Sequence, residues 1–282
     1  MPEIDLPPQQ YASLLVAIQA AIGRRYGCLA VGGEGVPTVS RAAVAFVASG
    51  EGKYLVTAKH VLDGLWKKAA LLRVLRPTRP NEPSIPDEHV VDRSALVWCS
   101  HSLDVAVLRA PATMATSSDV AWFSADRGRR QLTKLRQEWS PDVPSHLLFA
   151  SGFPNFGRIA GALNPGLVAE FLGMLTLPAA IVDLKEALGG SQMAIELTHT
   201  EPILASDADP VSRAFFRVLV ENPAATSVDL DGLSGGPLVL PAENGDAEIV
   251  GVISEGSIMQ VEGEGPISLL RAAPIDELTF PA

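Results

Sequence analysis

One short segment near the end of the chain constrains the fold most, because it places a serine among glycines. Residues 232–237 read Gly-Leu-Ser-Gly-Gly-Pro, with Ser234 inside the run. Glycine allows backbone turns that other side chains forbid, so the segment predicts a tight turn with an exposed serine hydroxyl. Such a turn can direct successive backbone N–H groups to one point, which is how an oxyanion is stabilised. The segment therefore identifies Ser234 as a candidate nucleophile.

A serine hydroxyl needs a base to activate it, and the base needs an orienting partner. Two upstream segments offer both: Thr-Ala-Lys-His ends in His60, and Asp-Val-Ala-Val-Leu begins at Asp104. The predicted roles are general base for His60, orientation of the imidazole for Asp104, and nucleophile for Ser234. The alternative histidine is His101, because it lies three residues before Asp104.

In this chain order the three segments resemble the signatures of the chymotrypsin-like (trypsin-like) serine endopeptidases, in particular their bacterial, disulfide-free branch. The resemblance extends over residues 36–275. It implies an all-β fold of two six-stranded antiparallel barrels, with an N-terminal helix and helical insertions added. It also implies hydrolysis of peptide bonds in a protein or peptide substrate through an acyl-enzyme, without a metal or a cofactor. The backbone N–H groups of Gly232 and Ser234 would then form the oxyanion hole.

A second fold competes for the serine motif, since Gly-x-Ser-x-Gly is also the pattern of the α/β-hydrolases. In that fold the acid and the histidine follow the serine in the chain. The last histidine of this sequence is His199, so none follows Ser234. Chain order therefore excludes this alternative.

The resemblance also implies a substrate pocket, although it encodes the preferred side chain weakly. The assigned pocket residues are Val228, Asp229, Ser254, Glu255 and Gly256. A valine at position 228, where trypsin has an aspartate, favours a small or apolar substrate side chain. The acids Asp229, Asp231 and Glu255 would favour a basic one, and a solvated acidic loop explains them equally well. Ser254 also matches the family's serine that hydrogen-bonds the catalytic aspartate.

One departure from the family concerns activation. Digestive members have an aspartate directly before the serine, which captures the N-terminus released by zymogen cleavage, and this chain has Leu233 there. Leucine cannot form that ion pair, so the site is either preformed or ordered by an activating protein partner or by oligomerisation. The alternatives to an endopeptidase are a partner-gated or catalytically silent binding module on the same fold, and an esterase.

Composition limits the partners and the cellular setting. The formal net charge is −10, and no Lys/Arg-rich stretch occurs outside residues 127–136, so nucleic acid is not an expected partner. No membrane span and no secretory signal are predicted, because no apolar run is long enough and the N-terminus is acidic. Two cysteines, Cys28 and Cys99, do not make a disulfide framework. These features predict a reducing, cytoplasmic location.

The pattern divides the chain into three parts. Residues 1–35 are a lead-in with an amphipathic helix over 9–23. Residues 36–140 form the first barrel with His60 and Asp104, and residues 141–282 form the second barrel with Ser234.

Local patterns predict further elements. A hairpin covers residues 43–57, and a charged linker with helical character covers 125–139. Residues 162–225 exceed what a minimal barrel needs and are predicted to be an insertion. Helices are predicted within it over 177–188 and 210–219.

Overall fold

The computed structural model describes the part of the chain that forms two β-sheets and the helices beside them. The described residues are 14, 17–18, 20–31, 40–75, 89–138, 148–152, 175–183, 193–197, 232–242, 245–261 and 265–281. Most of them are in β-strands. None of the helices in these ranges combines the length and apolar character that a bilayer crossing requires.

The first sheet is built from short apolar runs in the first half of the chain. Its strands are β1 (Tyr26–Val31), β2 (Ser40–Ser49), β3 (Gly52–Ala58), β4 (Leu72–Leu75), β5 (His89–Val91), β6 (Leu96–Ser100), β7 (Val105–Arg109) and β8 (Phe123–Ser124). They lie in the order β5-β4-β1-β2-β3-β7-β6, and β8 pairs in parallel with β2. The predicted hairpin is confirmed by the antiparallel pairing of β2 with β3.

This first sheet differs from the six-stranded barrel that the resemblance implies. It has eight strands, and β5 and β6 remain its edges within the described part of the chain. Only residues 92–95, which contain the 3₁₀ turn Arg93–Ala95, separate these two edge strands. The sheet therefore curls until its two edge strands approach each other. The short segment 92–95 connects these strands, which are not paired by hydrogen bonds in the described part of the chain. The sheet also includes β1, although the sequence pattern assigns these residues to the lead-in, because the Tyr26–Val31 run pairs with both β2 and β4.

Besides helical residues near the N-terminus, the described part of the chain contains three α-helices. They are α1 (Lys59–Lys68), α2 (Ala112–Ala115) and α3 (Ala125–Glu138). The helix that carries His60 has 10 residues. The charged linker is helical, as predicted. Near the N-terminus, residues 14, 17–18 and 20–22 are helical, and Ile18 and Ile22 are fully buried in the core.

The second sheet is a closed barrel of six strands. They are β9 (Leu148–Gly152), β10 (Leu175–Asp183), β11 (Met193–Leu197), β12 (Pro237–Pro241), β13 (Ala247–Val261) and β14 (Gly265–Pro274), in the order β10-β11-β14-β13-β12-β9. The predicted helix over 177–188 is wrong for residues 177–183, which belong to β10. Pairing with β9 and β11 overrides the helical preference of Ala179 and Ala180. The predicted helix over 210–219 lies outside the described residues.

Both faces of the first sheet are buried along its central strands. Along β3, Tyr54 and Val56 belong to a core that continues into the barrel, whereas Leu55 belongs to a second core under α1. The side chains of a strand alternate between faces, so each face here contributes to a different core. This explains why the strands read as continuous apolar runs and lack the alternation of a half-exposed sheet.

An ion pair joins the two sheets beside the start of β1 and of β13. Arg25, which precedes β1, bonds both carboxylate oxygens of Asp246, and its Nη1 also donates to the Ala247 carbonyl at 3.0 Å. Arg127 of α3 lies 4.0 Å from the same carboxylate. These contacts fix the first sheet and α3 against one corner of the barrel.

The pH dependence of stability is expected to reveal this ion pair. Burial by itself would raise the pKa of Asp246, but hydrogen bonds from Arg25 and the Ala247 N–H, with the guanidinium charges, outweigh it and hold the pKa below its usual range. A carboxyl with a lowered pKa in the folded state stabilises the fold above the unfolded pKa of about 3.9, and this contribution disappears as the pH falls through the folded pKa. In urea titrations, Asp246→Asn should lower the free energy of unfolding at pH 7, and the difference from wild type should shrink below about pH 4. An equal difference at both pH values would contradict this role.

Two helical glycines make a matched pair for testing how α3 packs. A Cβ added to Gly128 would overlap the carbonyl oxygen of Ile249 in β13, whereas one added to Gly64 of α1 meets nothing within 4 Å. We expect Gly128→Ala to destabilise the protein by about 1–3 kcal/mol, because the helix must move away from the strand. Gly64→Ala should stabilise it by about 0.5–1 kcal/mol through helix propensity. Urea unfolding of both variants measures these effects, and a stabilising Gly128→Ala would contradict the close approach.

Candidate active site

Asp104 is held against the start of α1. It has a φ of 53°, a left-handed conformation that aspartate tolerates better than most residues. Its backbone carbonyl accepts the N–H of Lys59 at 2.9 Å, and its Oδ1 accepts the N–H of His60 at 2.9 Å. The N-cap residue of α1 is Ala58, whose side chain cannot cap the helix. Asp104 therefore caps α1 from a distant part of the chain and is fixed beside His60.

The second carboxylate oxygen of Asp104 orients the imidazole of His60. Asp104 Oδ2 is hydrogen-bonded to His60 Nδ1. Because an ionised carboxylate can only accept, Nδ1 donates to it, and in the neutral imidazole Nε2 then has the lone pair that a general base needs. The imidazole is about half exposed, so this lone pair can be reached from solvent. Within the described chain the hydrogen bond to Asp104 comes from His60, and the alternative, His101, is an exposed residue of the preceding turn.

The turn that carries Ser234 is bonded to β13. The N–H of Gly235 donates to the carbonyl of Ile253 at 2.7 Å, and the N–H of Ile253 donates to the carbonyl of Gly236 at 2.9 Å. A third bond, from the Gly236 N–H to the Leu233 carbonyl at 2.8 Å, closes the turn. Ser234 is only 4% exposed. The turn is therefore rigid, and the serine is more enclosed than its motif predicts.

Gly235 brings this turn against the strand that leads to His60. It has a φ of 88°, and an added Cβ would lie closer than 3.0 Å to the carbonyl oxygen of Ala43 and to the hydroxyl of Thr57. The buried Thr57 hydroxyl itself donates to that carbonyl at 2.7 Å. Thr57 precedes His60 by three residues. The serine turn of the barrel therefore packs against the end of β3, the strand that leads into the helix with His60.

The same turn limits which N–H groups can bind an oxyanion. Those of Gly235 and Gly236 already donate to protein carbonyls, so they cannot also stabilise an oxyanion. The N–H groups earlier in the turn, at Gly232 and Ser234, are the pair that the resemblance assigns. Their role stays a prediction.

Leu233, the residue before the serine, is buried at 1% exposure in the apolar core. A charged N-terminus brought to this position would have no carboxylate to pair with and would be desolvated. The apolar surroundings of Leu233 thus agree with the expectation that activation does not use an ion pair at this position.

The pocket residues are only partly described. Val228 and Asp229 lie outside the described residues, and Gly256 is described only as backbone of β13. Ser254 is fully buried, and its Oγ donates to the carbonyl of Arg271 at 3.2 Å; a bond to Asp104 stays a prediction. Glu255 is exposed and pairs with Arg271, so it is not an uncompensated acid.

Lys59 is next to His60 but is not a second candidate base. Its side chain is paired with Asp63 one turn along α1. The hydrogen bond to Asp63 raises the pKa of Lys59 above its usual value, and the nearby charges add to the effect. Lys59 is therefore protonated at neutral pH.

Two residues of this region were not identified from the sequence. Thr57 belongs to the Thr-Ala-Lys-His segment, but nothing in the pattern indicates its contact with Gly235. Arg271 carries no sequence signal, because only the pairing of β13 with β14 places it opposite Glu255. Among the described residues, no three His, Cys, Asp or Glu side chains are grouped as metal ligands.

Comparison with known proteins gives distant structural matches but no match by sequence. No family model matches the chain, and no curated protein matches its sequence. One solved structure, described as an HtrA-type protease AlgW with tripeptide, matches with a TM-score of 0.48 and 14% sequence identity. The match covers 92% of this chain and 59% of that one, so this chain spans less than two thirds of the length of the matched protein.

Proposed function

We propose that this chain is a serine endopeptidase with the chymotrypsin-like fold, in which Ser234, His60 and Asp104 act as a catalytic triad. The observation that carries the proposal is the junction at Gly235. It packs the serine turn against the end of β3, beside the helix whose first turn holds the His60–Asp104 pair. Gly235 follows Ser234 directly and Thr57 precedes His60 by three residues, so this contact supports a site shared by segments far apart in the sequence.

The chemistry follows from the side chains. His60 Nε2 takes the proton of the Ser234 hydroxyl as its oxygen attacks the substrate carbonyl carbon. The N–H groups of Gly232 and Ser234 stabilise the resulting oxyanion, and each such donor contributes about 10²–10³ in rate. The protonated His60 then donates to the leaving amine as the peptide bond breaks, leaving an acyl-enzyme. Water hydrolyses this ester by the same proton transfers, with Asp104 stabilising the imidazolium in both halves.

The low exposure of Ser234 favours one alternative, a partner-gated module. A serine that is 4% exposed offers a substrate little access until a neighbouring segment moves. In this alternative a protein partner opens the site before any peptide is cleaved. The cytoplasmic location predicted from the sequence is compatible with both the endopeptidase and the partner-gated module.

One experiment separates these functions. Wild type and Ser234→Ala are incubated with a defined peptide mixture and, separately, with small activated esters, and products are identified by mass spectrometry. Peptide cleavage by wild type alone supports the endopeptidase. Turnover of esters without peptides indicates an esterase, and no turnover of either indicates a gated or silent module. Cleavage that persists in Ser234→Ala would contradict the proposed nucleophile.

A further inference from the structure

A charged pair joins β13 to β14 just beyond the contact between β13 and the serine turn. The backbone of Ile253 exchanges hydrogen bonds with Gly235 and Gly236. Glu255 follows two residues later, and two residues of extended chain span at most about 7 Å. β12 pairs with β13 only as far as Val252, so beyond this point the described ladder partner of β13 is β14 alone. Glu255 is exposed, and Ile253, two residues before it, is hydrogen-bonded to the turn that carries the proposed nucleophile.

Arg271 holds Glu255 from the neighbouring strand. The two residues are opposite each other in the β13–β14 ladder, directly after a register shift at Ser254. Arg271 Nη1 donates to Glu255 Oε2 at 3.1 Å, and the side chains are 44% and 57% exposed, respectively. The buried Ser254 hydroxyl donates to the Arg271 backbone carbonyl at 3.2 Å. The arginine is therefore anchored at its backbone while its guanidinium remains accessible.

The contact joins one nitrogen and one oxygen, so each group keeps hydrogen-bonding capacity for a substrate. The main effect of the contact is that the Arg271 guanidinium compensates the negative charge of Glu255. Covering the pair with an apolar side chain would remove two charges from water, which is unfavourable. A side chain with a single charge gains attraction from one member of the pair and repulsion from the other.

We infer that Arg271 is a specificity-determining residue, which together with Glu255 forms a subsite for polar, uncharged substrate side chains. This inference rests on the proposed function, because it takes the serine turn as the reacting centre. Glu255 alone would favour basic substrate side chains, and the positive charge of Arg271 cancels this preference.

The two single substitutions should shift the preference in opposite directions. Arg271→Gln leaves an uncompensated carboxylate, so cleavage of peptides with Lys or Arg at this subsite should rise about two- to fivefold relative to neutral peptides, as expected for exposed charges. Glu255→Gln leaves the guanidinium and should favour Asp or Glu by a similar factor. The double variant should show neither preference. The measurement is kcat/KM for a peptide library varied in charge at each position near the scissile bond.

Arg130→Gln is a matched control, because it removes the same charge from an exposed position on α3. It should not change the charge preference. Equal shifts in Arg130→Gln and Arg271→Gln, or single variants that shift in the same direction, would overturn the inference. Labelling of wild-type Ser234 by a fluorophosphonate tests the proposed function independently. If wild type does not cleave, the same peptides are bound to Ser234→Ala and to its Glu255→Gln and Arg271→Gln derivatives, and binding is measured by fluorescence anisotropy. The two derivatives should then shift the charge preference of binding in opposite directions.

Discussion

Asp104→Asn is expected to lower kcat about 10⁴-fold while leaving the protein folded. The amide oxygen can still accept the N–H of His60, and asparagine tolerates the φ of 53° at this position. The amide NH₂ then faces His60 Nδ1, where the carboxylate accepted a proton. Two donors cannot bond each other, so the imidazole must carry its proton on Nε2 and lose the lone pair that activates the serine.

Steady-state kinetics on a cleaved peptide or ester, with a thermal melt beside them, measures this effect. Asp63→Asn is the matched control, because Asp63 accepts from Lys59 on the same helix and does not contact the imidazole through any described bond. It should retain activity within a few-fold of wild type. A kcat for Asp104→Asn within tenfold of wild type would contradict the assigned role of Asp104.

Gly235→Ala is expected to remove activity and to destabilise the protein by about 2–6 kcal/mol, the sum of backbone strain and overpacking. Gly235 has a φ of 88°, and the added Cβ would overlap the Ala43 carbonyl and the Thr57 hydroxyl. The turn must therefore move away from β3. A shift of about 1 Å in a reacting group can cost 10²-fold in rate, so the loss of activity should exceed the loss of folded protein.

Gly50→Ala separates the two causes of this effect. Gly50 also has a positive φ, 55°, but an added Cβ there meets nothing within 4 Å. It should cost only the conformational strain, about 1–2 kcal/mol, and retain activity. Urea unfolding and initial rates of both variants make the comparison. If Gly235→Ala cost no more stability than Gly50→Ala, the close junction between the two sheets would be disproved.

The local features of the site were accessible from the sequence because each depends on a short segment. The glycines around Ser234 predict a tight turn, and the structure contains one. His60 and Asp104 were identified by type and order, and their hydrogen bond is present. The hairpin of β2 and β3 followed from two apolar runs around Ser49–Gly52.

The features that were missed depend on contacts between distant segments. Residues 177–183 were predicted to be helical and are a strand, because the ladder with β9 and β11 decides their conformation. The first sheet was predicted to be a six-stranded barrel and has eight strands, since edge pairing is not encoded in any one run. Arg271 could not be linked to Glu255 without the register of β13 and β14.

The central claim is that Ser234 is a nucleophile activated by His60. The most direct measurement is incubation of the purified chain with a fluorophosphonate, beside Ser234→Ala, followed by mass mapping of the adduct. We expect one adduct, on Ser234 in wild type, and none in the variant. Failure of wild type to react, or an adduct on another residue, would contradict it.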